Sequence, residues 1–553
     1  MGNQPPQHVV HSPIEDEETT QVNLDRLRPV VDTLPLVVWV ALAVSGAERF
    51  TFYAVTTPWQ NYMQNNHDSI AVPGALGLGQ ATATNISSAF YFLTFLAPVP
   101  FAIISDAWLG RYKTLCLSIV LDFCGCLVLF ITSLSFVKSE VTKIAGLAVG
   151  MVLLGLGTGG VKATASPFIG DQYSIAAPRL VVTKAGGRAV VDRALTLQYI
   201  YNVFYWFTNI ASLSLIASTY LEKNVGFWAA YLMPVCSISV LLAFLLFWNK
   251  SFVKLAPQGN VLPKAGKVVQ HAVRGRFRLD AARPAHQAEK WGRVVNWDDE
   301  FVSEIGRGLK ACVVMACFVP FHLCMNQIAN NLVSQAGQMQ LGGVPNDMIQ
   351  ALNSIACILL GPLMQNVLYP SLRRVGIAFG PIARMTWAFV AMSTAMAYAA
   401  GVQKLIYSRG PCYDHPLACP DAAGGSVPNE INVWVQTPLY FLLAVAEILG
   451  FTTLSEYSYS EAPKNMRSLV QALGQLSSGV GSGLGMAVSP VSVDPQILWL
   501  YTGLAVSMVV VAPTFWLAFS RYDKAADQLA ANSSDQTECS STQIDRVENT
   551  KTD

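Results

Sequence analysis

FWAAYLMPVCSISVLLAFLLFW, from Phe227 to Trp248, contains no charged side chain. A helix that crosses the hydrocarbon of a bilayer needs roughly 20 predominantly apolar residues, and this stretch meets that length by itself. Eleven further runs resemble it: Leu36–Val55, Ile86–Ser105, Leu115–Phe136, Ile144–Val161, Leu195–Ser218, Ala311–Asn330, Met348–Leu368, Ile382–Val402, Trp434–Leu454, Leu469–Val488 and Gln496–Phe519. Buried helices of a soluble protein imitate one or two such runs, not twelve. Only 13% of the 553 residues are charged, against about 25% in soluble domains, so lipid is the main solvent of this chain. An all-α membrane protein is expected.

Orientation follows from Lys and Arg, which are retained on the cytoplasmic side of short loops. The segments Trp59–Thr84, Asn331–Asp347 and Pro490–Pro495 contain neither residue. The alternate loops are basic, with Arg111 and Lys113, then Arg179, Lys184, Arg188 and Arg193, then Arg373 and Arg374, then Lys464 and Arg467. The other outward segments hold only Lys138, Lys143, Lys223, Lys404 and Arg409, and the bias across the twelve runs places both termini in the cytoplasm. The formal net charge of +1 is spread by topology rather than gathered into a patch, so no nucleic acid partner is expected.

Residues 1–34 carry the acidic run Glu15–Glu18 and, within Met1–Arg28, no apolar core of signal-peptide type; they are expected as a disordered cytoplasmic tail, like residues 521–553. Between the tails lie two sets of six runs, residues 35–249 and 309–520, joined by a cytoplasmic linker over residues 250–308. Most of the eleven cysteines fall inside apolar runs. Cys412 and Cys419 instead share an outward loop, where an oxidising compartment permits a disulfide and two surface thiols are the alternative. No nucleophile and base pair, metal-ligand cluster or phosphate loop stands out, so neither an enzyme nor a cofactor is expected. Gly157–Lys162 lacks the spacing and strand context of a P-loop.

A six-plus-six arrangement is the layout of the major facilitator fold, in which two helical halves rock about a central site. After the second run, Asp106, Gly110 and Arg111 place an acid, a turn and a base together. Such a trio serves either as a cytoplasmic latch between helices or as a charged interfacial turn.

Several stretches together resemble the proton-dependent oligopeptide transporter (POT/PTR) family, and most of all its fungal members, over about Pro35 to Lys524. The most specific is Gly157-Thr-Gly-Gly-Val-Lys162, continuing through Ser166, Pro167 and Phe168 to Gly170-Asp-Gln-Tyr173. Phe204, Tyr205, Trp206 and Asn209, then Trp297–Phe301, and Ala462–Ser468 match further family stretches. The family's first motif is incomplete, since Ser45-Gly-Ala-Glu48-Arg49-Phe50 has Ser where a leading Glu is usual. Phe52 and Phe95 stand where related sequences have Tyr, and Phe101 where they have a small residue.

An ionised side chain at a helix centre costs about 2.5 to 3.5 kcal/mol even on lenient insertion scales, so Glu48, Arg49, Lys162 and Glu447 have work to do or partners to hold. The resemblance implies substrate binding by Glu447, Lys162, Asn209, Tyr53 and Asn326, with Glu447 taking a peptide's amino terminus and Lys162 its carboxylate. It implies proton coupling through Glu48, Arg49, Lys162 and Glu447, and it favours the latch reading of Asp106, Gly110 and Arg111. The alternative for Glu48, Arg49 and Lys162 is an ion-pair network that holds helices together. Asp122 is a further intramembrane acid to which the resemblance assigns no task, and His322 is expected to be a packing residue.

The function implied is import of di- and tripeptides by proton symport in a multi-pass plasma-membrane protein. Its partners would be short peptides, protons and lipid, and it would act as a monomer. Ser45 and the three Phe positions leave open a specialised non-peptide metabolite with altered coupling. A nutrient sensor that signals through the linker is the reading from another class.

Overall fold

The computed structural model describes residues 29–67, 69, 72–173, 179–182, 188–191, 193–255, 262–276, 278–375, 379–422, 425–461 and 467–521. Almost all of both expected tails and most of Ala462–Ser468 lie outside the described residues. Among those described, ten helices are long and apolar enough to cross a membrane. They are α1 Leu36–Gln64, α2 Gln80–Leu109, α3 Arg111–Thr132, α4 Glu140–Asp171, α5 Leu195–Asn224, α6 Phe227–Lys250, α8 Asp347–Leu372, α9 Pro381–Tyr407, α10 Val433–Ser458 and α12 Ile497–Arg521.

Two of the expected twelve need comment. The seventh, α7, is a bent pair, Asp299–Ala316 and Val319–Met325, meeting at 44°. The bend falls beside Pro320, whose ring removes a backbone donor and clashes with the preceding turn. The eleventh, α11, is a 22-residue helix, Arg467–Val488, whose Gly- and Ser-rich middle makes it less apolar than the rest. Small residues of that kind let membrane helices approach closely, and α11 packs along α7.

The chain forms two compact units. In the first, α1 packs on α5 and α6, and α3 on α4 and α6, around a core that includes Val38, Leu42, Ile119, Phe168, Ile238 and Leu245. The closest approach is α3 on α4. A Cβ at Gly157 would lie 2.3 Å from Asp122 Oδ1, and one at Gly160 would lie 2.1 Å from Ser118 Oγ. The Gly-rich motif therefore makes room for polar groups of the facing helix. Gly157→Ala is expected to destabilise the protein by about 1–3 kcal/mol through overpacking, seen as a lower melting temperature in detergent. An unchanged midpoint would count against the tight contact.

The second unit holds α7 to α12 and the first turns of α2, Gln80–Ser88, around Phe318, Phe321, Met385, Phe389, Leu443 and Phe515. It also carries a buried polar ladder that an apolar-run reading misses. Gln436 Nε2 donates to Gln335 Oε1 at 2.8 Å, Gln335 Nε2 to Gln403 Oε1 at 2.7 Å, and Gln403 Nε2 to Gln338 Oε1 at 2.8 Å. The chain ends at Asp494, which accepts from Gln338 Nε2 at 2.7 Å and from the Tyr407 hydroxyl. Burial holds the Asp494 carboxyl above the ordinary carboxylate range. Gln403→Leu leaves Gln335 and Gln338 each short of a partner in a dry site. It is expected to cost about 1–3 kcal/mol, read by the same melting experiment, and a neutral result would mean that the ladder relaxes.

Each unit, taken by itself, repeats one plan. In the first, Arg111 opens α3 and pairs with Asp171, the last residue of α4, at 2.6 Å. In the second, Arg384 in the first turn of α9 pairs with Glu456 near the end of α10 at 3.0 Å. The second helix of each set carries a π-helical turn in its later part, Ser105–Leu109 closing α2 and Met364–Leu368 in α8 before its last turns. An internal repeat with a charged clasp on corresponding helices is what a duplicated six-helix unit leaves behind.

Short strands appear where none was expected. β1 Pro29–Val30 runs parallel to β3 Arg188–Val191, which pairs antiparallel with β2 Arg179–Val182. In the second unit β4 Met339–Gln340 lies parallel to β5 Asn429–Asn432. The linker is partly helical, with Leu262–Arg274 burying Ala265, Val268 and Ala272 along one face at helical spacing. Cys412 and Cys419 are disulfide-bonded.

Candidate functional site

The first unit brings three of the anticipated charges together. Glu48 and Arg49 are consecutive on α1, and the guanidinium curls back so that Nε meets Glu48 Oε2 at 2.6 Å and Nη2 meets Oε1 at 2.7 Å. That two-pronged geometry is the strongest kind of carboxylate contact available to Arg. The Glu48 side chain is 3% exposed and that of Arg49 14%, so each offsets the burial cost of the other.

Lys162 on α4 has no ion-pair partner among the described residues. Its ammonium lies 3.8 Å from the centroid of the Phe95 ring, while the Arg49 guanidinium carbon lies 5.0 Å from that of Phe52. The two positions read from sequence as Tyr-to-Phe departures thus supply ring faces for the two cations. A cation over an aromatic face gains from about 0.5 to 2 kcal/mol as desolvation increases. Lys162 rests on its ring with no ion-pair partner among the described residues, whereas Arg49 has both the Phe52 face and the Glu48 carboxylate.

Ser45, one turn before Arg49, donates to the Ala41 carbonyl at 3.2 Å. Its hydroxyl closes on its own helix and takes no part in the charge cluster. Tyr53 is half-buried on α1 with its ring edge-on to Phe52 at 5.5 Å. Asn209 donates to the Tyr205 carbonyl at 2.9 Å, again within its own helix α5.

In the second unit Glu447 occupies the last α-helical position of α10 before the π-helical turn Ile448–Thr452. Such turns widen a helix locally and recur at functional sites. Glu447 Oε2 accepts from Asn353 Nδ2 at 2.9 Å and from Cys357 Sγ at 3.8 Å, and Oε1 has no hydrogen bond among the described residues. Asn353 was missed in the sequence reading. Its signal was an amide inside the apolar run of α8, rare enough in hydrocarbon to have been weighed.

Asn326 on α7 donates to Ser88 Oγ at 3.1 Å. Nearby, Asn331 Oδ1 accepts from Gln80 and Thr84, both at 3.1 Å, and Asn331 Nδ2 donates to Gln327 at 2.7 Å and to Ser492 at 3.0 Å. An Asn at 326 thus joins a neutral amide and hydroxyl network rather than a charged one. His322 packs as anticipated, stacked on Phe451 at 5.1 Å with Ser478 Oγ 3.0 Å from Nε2.

Between α2 and α3, Gly110 has φ 78° and caps α3, a backbone conformation that only Gly adopts at little cost. Arg111 turns to Asp171 rather than to Asp106, reaching both carboxylate oxygens at 2.6 Å. Asp106 remains within Coulombic reach of Arg111. Asp171 sits in the Gly170–Tyr173 motif, and its pairing depends on the way α3 and α4 pack.

The family model described as PTR2: POT family matches residues 112–505. The peptide transporter PTR_B of Candidozyma auris is 39% identical over 93% of this chain and 87% of its own length. The peptide transporter PTR2 of Saccharomyces cerevisiae is 35% identical over 94% and 85%. A solved structure of the POT family transporter PepTSo superposes with a TM-score of 0.70 at 21% identity, covering 89% of this chain and 99% of that one, which shows the same fold. On the family match and these relatives together, the chain belongs to the POT family.

Proposed function

We propose that this protein imports di- and tripeptides together with protons by alternating access, with Glu447 receiving the substrate ammonium and Lys162 its carboxylate. The observation that carries the reading is the state of the two groups. Among the described residues, Lys162 rests on a ring face with no anion against it, and Glu447 keeps one oxygen without a hydrogen bond. Each is a charge held for an incoming partner. A peptide offers one of each sign at its two ends. The names of the relatives, fungal peptide transporters at 35–39% identity, support the same substrate class.

The Glu48–Arg49 pair supplies the coupling. Each proton carried inward gains about 2.3 kcal/mol per 100 mV of membrane potential, enough to drive accumulation. Tyr53, Asn209 and Asn326 contribute neutral hydrogen bonds to the substrate. Asp106, Gly110 and Arg111, together with Asp171, clasp α3 and α4. The working form is a monomer with tails at 1–34 and 521–553, helical bundles at 35–249 and 309–520 and a linker at 250–308. The plasma membrane holds it with both termini in the cytoplasm.

A second reading, transport of a specialised metabolite with altered coupling, is favoured by Ser45, whose hydroxyl is spent on its own helix. Reconstitution in proteoliposomes separates the readings. Peptide-driven acidification of the lumen supports symport, and peptide flux without a pH change supports the second reading. Saturable binding without flux supports a sensor and would overturn transport altogether.

A further inference from the structure

Asp122 is a buried acid of the first unit that the mechanism above does not use. It lies midway along α3 and is 2% exposed, in a helix that crosses the hydrocarbon. Its Oδ1 accepts a long hydrogen bond from Thr158 Oγ1 at 3.4 Å, the Thr158 backbone N–H is also within reach of the carboxyl, and its Oδ2 is buried with no hydrogen-bond partner among the described residues. Space for it is built in, because Gly157 leaves Oδ1 the volume that any side chain would fill. Glu48 and Arg49 on α1 lie within Coulombic reach.

Other neighbours do not neutralise it. On α4, Thr158 is the turn before Lys162. On α3 itself Cys126 lies one turn on, and the inner turn of α2 that packs on α3 carries Asp106. α6, the remaining neighbour, offers Tyr231 and Cys236 and has no charged residue before Lys250. Arg49 gives its Nε and Nη2 donors to Glu48 in this conformation. An ionised carboxylate with one buried, unpartnered oxygen is far costlier than its acid form, so these surroundings favour the acid form of Asp122.

We propose that Asp122 is the proton store of the Glu48–Arg49–Lys162 cluster, protonated in this conformation and ionised when Arg49 leaves Glu48. The charges balance. With Asp122 neutral the cluster carries two cations and one anion, and with it ionised two of each. As Arg49 swings away from Glu48 and the cluster opens to solvent, the Asp122 O–H bond breaks, the proton passes to the entering water, and the new carboxylate takes the guanidinium as its counter-ion. This role rests on the symport reading above, and it adds a carboxyl outside α1 and α10.

The test uses the full chain in proteoliposomes. Peptide counterflow requires no net proton movement and reports whether a variant still binds and carries peptide. Accumulation under an imposed inward proton gradient and potential reports coupling. Asp122→Asn is expected to retain counterflow while its accumulation ratio at about 100 mV falls from roughly fiftyfold toward unity and its pH profile flattens. Ser45→Glu together with Asp122→Asn puts a carboxyl one helical turn from Arg49 and is expected to restore part of the accumulation. Wild-type coupling in Asp122→Asn would overturn the role of Asp122 alone. Loss of counterflow as well, with no rescue by Ser45→Glu, would assign Asp122 to packing and overturn the proposal. A wild type that moves peptide without protons would overturn both this inference and symport.

Discussion

Glu447→Gln raises the KM for a dipeptide with a free amino terminus by about 10- to 100-fold, while uptake of the same peptide with an acetylated amino terminus changes little. The magnitude follows from removing one charge-assisted hydrogen bond, worth about 1.5–3 kcal/mol, with each 1.4 kcal/mol a factor of ten. Gln preserves the shape of the side chain and its carbonyl still accepts from Asn353, which fixes Oε2 at 2.9 Å in the native protein, so the helix and its π-helical turn should survive. What disappears is the charge at Oε1. Competition uptake with the paired substrates is the measurement. Equal effects on the free and acetylated peptides would show that Glu447 shapes the unit without reading the ammonium.

The fold was legible because hydrocarbon leaves few choices. Backbone groups in lipid must be satisfied within the segment, so apolar runs of sufficient length become helices, and the Lys and Arg bias orders them. The exceptions share a cause. α11 is Gly- and Ser-rich because it packs closely on α7, and Pro320 breaks α7 into two pieces meeting at 44°; both are packing demands written over the hydropathy signal. β2 and β3 lie in a basic loop where charge patterning announces topology and says nothing about pairing.

The candidate site was legible to the extent that charge inside a span is rare. Glu48, Arg49, Lys162 and Glu447 announce themselves by that cost alone, whereas their partners do not. Asp171 reaches Arg111 across two helices, and Asn353 reaches Glu447 across 94 residues of chain. Neither pairing has a period or a spacing in the sequence. Phe52 and Phe95 show the same limit from another side. Their missing hydroxyls were visible as departures from the family, while the use of their faces by Arg49 and Lys162 depends on the third dimension.

Glu48→Gln is expected to have a larger effect than Glu447→Gln, because it acts on stability and coupling together. Removing one partner of a buried pair leaves the other charge uncompensated, at a cost of about 3–5 kcal/mol. Here the abandoned group would be Arg49, with a side chain only 14% exposed, left to the Phe52 face and to Asp122 within Coulombic reach. Melting in detergent should fall sharply, and gradient-driven uptake should drop to background. The double replacement Glu48→Gln with Arg49→Gln tells a structural role from a coupling role. Removing both charges relieves the burial penalty, so the melting temperature should recover most of its loss. If the pair served only to hold α1 in place, uptake would recover with it. Recovery of stability without recovery of proton-driven uptake is the expected outcome, because a neutral amide pair can fill the same space but has no charge to exchange with a proton or with a substrate carboxylate.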